Sequence, residues 1–276
     1  MAKVKKAAVV ATGWLGDTIA CSAAATSLHD NGYKVSFYVR WPQLKSILDN
    51  DKRFETIVFG KLLTYKIKRP LFPSRYDVIV SEPKGWSYEE PFTTEIRRLA
   101  GFVGGSEYSL FLSPEQIALH MSKGSRPVIT IARDIYKRSN GRNISELIES
   151  LSLFSEICWV GLSPEKNSKQ GKNNSLVEDA SKIYNSELFV GVEGGLLWLA
   201  AGLGKRCVYF TEHILEVAKK CKRGDPFSVL GCKNHFPNSG HIALPVNCEN
   251  GYAVDVIQKA LIEAGSDRRS LLLGQK

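Results

Sequence analysis

Short β-branched runs alternate with Ala- and Leu-rich helical patterns along this chain, and the alternation runs through it twice. Strands separated by helices pair in parallel through helical crossovers, since no tight hairpin joins them. The first half predicts strands at Lys5–Ala11, Tyr33–Val39, Glu55–Phe59 and Tyr76–Val80, and helices at Thr18–His29, Gln43–Leu48 and Pro91–Phe102. The Ala-rich Thr18–His29 stretch lets a helix lie close on a sheet, and Asn31-Gly32 supplies its stop. The composition turns polar at Ser122–Pro127, and the pattern then restarts. Strands are predicted at Val128–Ala132, Ile157–Gly161, Leu188–Val192 and Arg206–Phe210, with helices at Ile144–Phe154, Leu176–Ile183 and Leu196–Leu203. A last helix is expected over Ala253–Ala264, followed by a frayed tail, Ser266–Lys276. The reading is an α/β chain of two Rossmann-like domains, residues 1–125 and 126–276, whose parallel sheets face across a cleft.

A length of 276 residues allows two modest cores. The six cysteines form no Cys-x-x-Cys pair, which points to reduced thiols in a reducing compartment. The basic start Met1–Lys6 followed by Ala7–Ala11 imitates a signal peptide, but its apolar run stops at Gly13. No stretch approaches the roughly 18 apolar residues of a membrane span, so a cytoplasmic location without membrane insertion is expected. Net charge is +9. Its densest part is the run from Lys61 to Tyr76, where Lys61, Lys66, Lys68, Arg69 and Arg75 alternate with Tyr65, Phe72 and Tyr76 and no acid intervenes. Such a run is either a solvated loop or a contact surface that steers polyanions. Cys221, Cys232, His235, His241 and Cys248 fit no standard zinc spacing and read as a loop-rich segment.

Two segments could carry chemistry. Gly13-Trp14-Leu15-Gly16-Asp17 lies between the first strand and first helix, where ligands sit in an open parallel sheet. Asp17 there is either a helix cap or a carboxylate aimed at a ligand. A nicotinamide-dinucleotide site fits poorly: the glycine spacing is not G-x-G-x-x-G, and the second strand ends in Val39-Arg40-Trp41 without a ribose-binding acid. The second segment is the strand Leu188–Val192 followed by Glu193-Gly194-Gly195 and an apolar helix. Backbone N–H groups at such a helix start can cradle phosphate, although a plain strand-to-helix turn also accounts for the pattern.

Together the two segments resemble glycosyltransferase family 9, the heptosyltransferase-type enzymes of lipopolysaccharide core assembly. That family opens with a G-x-x-G-D loop, matched by Gly13, Gly16 and Asp17. Its later D-[ST]-G-P-x-H-x-A-x-A-x-G motif is followed by Glu193, Gly195, Leu199, Ala200, Ala201 and Gly204. Gly194 and Leu196 replace its hydroxyl residue and Pro, and Trp198 stands in place of its His. The resemblance implies a GT-B fold, with acceptor on the N-terminal domain and a nucleotide-sugar, UDP- or ADP-linked, on the C-terminal domain. It implies that Asp17 is the general base. Donor contacts are expected at Gly16, Glu193, Gly194, Gly195 and Trp198. A basic residue after the first strand of the second domain is Lys137 or Arg138, with Arg133 and Arg142 behind them, and Glu165 lies toward the nucleoside. Cations and helix N-termini would meet the leaving diphosphate without a metal or other cofactor, with inversion at the anomeric carbon.

The acceptor is expected to meet Trp14 and the cations Lys61, Lys66, Lys68, Arg69 and Arg75. Phosphorylated lipopolysaccharide core and DNA are both polyanions. The aromatic interleaving of the basic run and the altered donor motif lean the reading toward double-stranded DNA, as in bacteriophage enzymes that glycosylate hydroxymethylated bases in the host cytoplasm. A heptosyltransferase-like enzyme and a non-catalytic nucleotide- or nucleic-acid-binding module are the alternatives.

Overall fold

A computed structural model describes residues 4–59, 75–82, 92–102, 108–121, 124–138, 143–161, 175–211 and 240–273. The chain forms two compact units that part between Leu112 and Ser113, ahead of the compositional change at Ser122–Pro127. The reason lies in Pro114–Ala118, a short helix capped by Ser113 and Gln116. Its Ile117 carbonyl accepts from Ser181 Oγ at 3.3 Å and Asn185 Nδ2 at 2.7 Å, which ties it to the second unit.

The first unit is a four-stranded, all-parallel sheet of β1 (Lys6–Ala11), β2 (Lys34–Val39), β3 (Phe54–Val58) and β4 (Val78–Ser81), in the order β3-β2-β1-β4. Ala7 to Ala11 are buried on both faces, as a central parallel strand requires. Helix α1 (Leu15–Ala20) begins three residues before the expected start, and a break at Cys21 separates it from α2 (Ser22–Asp30). Ala23, Ala24 and Ala25 are fully buried, consistent with small side chains permitting close packing. Helices α3 (Pro42–Leu48) and α4 (Phe92–Leu99) complete the described part.

The second unit holds five parallel strands in the order β6-β5-β7-β8-β9: β5 (Val128–Ala132), β6 (Glu156–Val160), β7 (Leu188–Val192), β8 (Arg206–Thr211) and β9 (Ile242–Pro245). After the short α5 (Pro114–Ala118) come α6 (Ile135–Arg138), α7 (Ile144–Ser152), α8 (Leu176–Asn185), α9 (Gly195–Gly202) and α10 (Asn250–Leu273). Ile129, Ile131, Leu188, Val190, Val208 and Phe210 pack with Leu147 and Leu151 of α7 and Ile257 and Ala260 of α10.

Two expectations fail here. The loop-rich reading around His241 gives way to β9, a four-residue edge strand ended by Pro245 and paired to β8 from Val208↔Ile242 to Thr211↔Pro245. The frayed tail is also wrong as far as Leu273. Helix α10 runs through Gly265, a glycine with open space about it that a helix tolerates.

Candidate functional site

Strand order sets where each unit can bind a ligand. In the first unit the chain moves from β1 to β2 and β3 on one side, then returns to place β4 on the other. Loops leaving β1 and β4 at their carboxyl ends therefore diverge, and this switch point is where open α/β sheets bind ligands. The β1–α1 loop, Thr12-Gly13-Trp14, lies there. So does Glu82, which continues β4 by donating its N–H to the Val10 carbonyl at 3.1 Å.

Glu82 is a site residue that the sequence reading missed. Its Oε2 accepts the N–H of Thr12 at 2.9 Å and of Gly13 at 2.6 Å. Asp17 Oδ2 accepts the next N–H, that of Trp14, at 2.9 Å. This is the reach-back of an acid in the first helical turn to the residue before the helix, so Asp17 is indeed a cap. The carbonyls of the loop are also occupied. Gly13 O accepts Trp41 Nε1–H at 2.9 Å and Thr12 O accepts from Arg40 Nη1 at 3.4 Å. The glycine is required by the neighbouring carboxylate: a Cβ on Gly13 would run into Glu82, with Cδ only 2.8 Å away.

The electrostatics follow from burial. It pushes the Asp17 carboxyl above its ordinary value, against the downward pull of the Trp14 N–H. Burial likewise pushes Glu82 up, the Gly13 N–H opposes it, the Asp17 charge adds to it and the Thr12 N–H opposes it. The Cys21 thiol, enclosed where α1 meets α2, is pushed well up by burial and then by Glu82 and Asp17. Two carboxylates thus occupy the N–H groups of Thr12, Gly13 and Trp14. Beside the turn, Trp14 is 74% exposed, its ring centroid 6.3 Å from that of Trp41, and the Arg40 guanidinium lies 5.7 Å over Trp41.

In the second unit the switch point falls between β5 and β7. There Glu193 and Gly194 lead from β7 into α9. Leu197 and Trp198 donate to Gly194 O at 3.1 and 3.3 Å, and the earlier N–H groups of the first turn have no intrahelical acceptor. Gly161, ending β6, has φ +89° and donates its N–H to Asp179 Oδ2 at 3.1 Å. Its face is filled by Leu196, whose Cδ1 would lie 2.9 Å from a Cβ. Tyr136 and Trp159 stack with centroids 5.6 Å apart, an aromatic pair the sequence did not single out because its members are 23 positions apart.

Other expected residues fall as follows. Gly16 is buried inside α1, and Trp198 is 8% exposed within α9. Glu193, Gly194 and Gly195 stand together at the start of α9, and Lys137 and Arg138 form the last two positions of α6 after β5. Arg133 follows β5 and donates its N–H to Val160 O. Arg75 is exposed just before β4. Lys61, Lys66, Lys68, Arg69, Arg142 and Glu165 lie outside the described residues, as do Cys221, Cys232 and His235. His241 is a buried histidine at the head of β9 whose Nδ1 accepts the Cys207 N–H at 3.2 Å. The Asp-x-Asp run Asp49-Asn50-Asp51 serves the turn after α3, where Lys45 binds Asp49 at 2.7 Å and Arg53 binds Asp51 at 2.7 Å. Among the described residues no cluster of three metal-ligating side chains occurs, and no helix is long and apolar enough to cross a membrane.

Two all-parallel sheets, each with its switch-point loop entering a helix, define the GT-B architecture of glycosyltransferases. Solved structures of that class are similar to this chain at low identity. An ADP-heptose lipopolysaccharide heptosyltransferase II from E. coli matches with TM-score 0.65 at 12% identity, covering 94% of this chain and 99% of its own. A glycosyl transferase family 9 protein from Veillonella parvula matches with TM-score 0.63 at 11% identity over 95% and 99%. The iron-containing dodecameric glycosyltransferase TibC from enterotoxigenic E. coli gives 0.58 at 14% identity over 76% of this chain, which spans only 59% of TibC. No family model and no curated protein sequence matches. The likeness is one of fold.

Proposed function

We propose that this chain is a glycosyltransferase of the family 9 type that moves a sugar from a nucleoside-diphosphate donor onto an acceptor hydroxyl. The observation that carries the reading is Asp17 itself: a half-buried carboxylate with raised proton affinity, in the first turn of α1, at the switch point of the first sheet. A base of raised pKa, held by one backbone N–H, is suited to take the proton of a hydroxyl. The acceptor oxygen then attacks the anomeric carbon as the bond to the diphosphate breaks, with inversion. Two carboxylates repel that diphosphate from the first unit. The start of α9 with Gly194 and Gly195, together with Lys137 or Arg138, would hold it in the second without a metal. Tyr136 and Trp159 offer a face for a nucleobase.

For the acceptor, the exposed Trp14 beside Trp41 and Arg40 suits the apolar face of a sugar carrying an anionic group. This favours an anionic saccharide acceptor, and the similar E. coli enzyme is named as a lipopolysaccharide heptosyltransferase. The DNA reading draws on Lys61, Lys66, Lys68 and Arg69, and the same assay tests it. Thermal shift against ADP-, UDP-, GDP- and CMP-sugars identifies the donor, because binding at 100 times Kd adds about 2.7 kcal/mol. Labelled transfer is then run on lipopolysaccharide core and on hydroxymethylcytosine DNA. Asp17→Asn is expected to keep the donor shift and to lose transfer by roughly 10²–10⁴-fold. Undiminished transfer by D17N, or a donor panel that shifts nothing, overturns the proposal.

A further inference from the structure

We propose that Glu82 is the positioning residue of the Asp17 base: its carboxylate fixes the Thr12–Gly13 turn from which the helix carrying Asp17 starts. The inference rests on the glycosyltransferase reading above, and it assigns a role to a residue no motif covers. Three observations carry it. Consecutive N–H groups of the turn are divided between two carboxylates, Thr12 and Gly13 to Glu82 and Trp14 to Asp17. Residue 13 has no room for a side chain, because the Glu82 carboxylate occupies the space a Cβ would take. The turn's carbonyls go to Arg40 and Trp41, so the backbone entering α1 is held by side chains on both edges. Asp17 lies three residues along from Trp14, and any shift of the turn moves its carboxylate.

The Asp17 charge adds to the burial that raises Glu82, whereas Asp17 itself is raised by burial. Other titratable groups on the elements packed here include Cys21 between α1 and α2, Tyr38 on β2, Arg40 after it, and Glu95, Arg97 and Arg98 on α4. In the transfer step the acceptor O–H bond breaks and its proton goes to Asp17; Glu82 neither gains nor loses one. Its part is to keep Asp17 aimed.

Glu82→Gln tests this, since the amide keeps the length and one oxygen acceptor but loses the charge. Expected results are an unchanged thermal shift with donor, an unchanged donor KM, and a fall in kcat on the order of tenfold. Independently of turnover, amide hydrogen exchange at Thr12 and Gly13 quickens as their acceptor weakens. Glu82→Ala, which also frees the two N–H groups, lowers kcat further. A kcat unmoved in E82A overturns the proposal. Quickened exchange at Thr12 and Gly13 in a chain that transfers no sugar leaves the hold of Glu82 on the turn standing and overturns the transferase reading alone.

Discussion

Gly13→Ala should destabilise the first unit strongly, and for a reason unrelated to backbone freedom. Gly13 does not adopt a positive φ, so alanine suits its backbone. The methyl group instead enters the Glu82 carboxylate, with Cδ and Oε2 each 2.8 Å from it. Relief requires Glu82 to withdraw from the N–H groups of Thr12 and Gly13, at 2.9 and 2.6 Å. Hydrogen bonds to a charged group contribute about 1.5–3 kcal/mol each, and partial exposure at this turn reduces the pair to about 2–3 kcal/mol in total. With a urea m-value of about 1–3 kcal/mol/M, the unfolding midpoint should fall by on the order of 1 M. The mechanism makes a sharper claim in a double-mutant cycle. Glu82→Ala loses the same two bonds and opens the space, so adding G13A to E82A should cost little. A coupling energy of about 2 kcal/mol is expected from urea melts of the four proteins. Additive losses would refute the steric reasoning.

Two further predictions concern the second unit. Burial, aided by the Arg206 charge, lowers the His241 pKa to about 4 from 6.5. A depressed histidine contributes stability that is complete above pH 6.5 and lost as pH falls through 4, here about 3 kcal/mol at 1.36 kcal/mol per unit. His241→Gln should flatten stability between pH 4 and 6.5 in urea melts; an unchanged slope contradicts the assignment. Gly161→Ala meets both a φ of +89° and the Leu196 methyl, and should cost about 1–3 kcal/mol by thermal unfolding. A neutral result there would mean the β6 turn is not held as described.

Much of the fold was legible because parallel strands buried on both faces read as unbroken apolar runs. Val128–Ala132 and Leu188–Val192 fall on their expected residues, and most others shift by one or two at their ends. What stayed hidden was non-local or short. Strand β9 has four residues and a terminal proline, so only its pairing with β8 reveals it. Asp17 could be picked out because a glycine loop surrounds it in sequence. Glu82 could not: it sits 69 positions from Gly13 and meets it only through the register Val10↔Ser81. Arg40 and Trp41 entered the sequence argument only as the absence of an acid, and the structure gives them the carbonyls of the turn.

Steric exclusion between positions 13 and 82 also has an evolutionary side. While a long acid occupies the later position, the earlier one is confined to hydrogen in place of a side chain. Among descendants of this chain, shortening at 82 would have to come first before anything larger than glycine became tolerable at 13, so the two sites should be inherited as a linked pair.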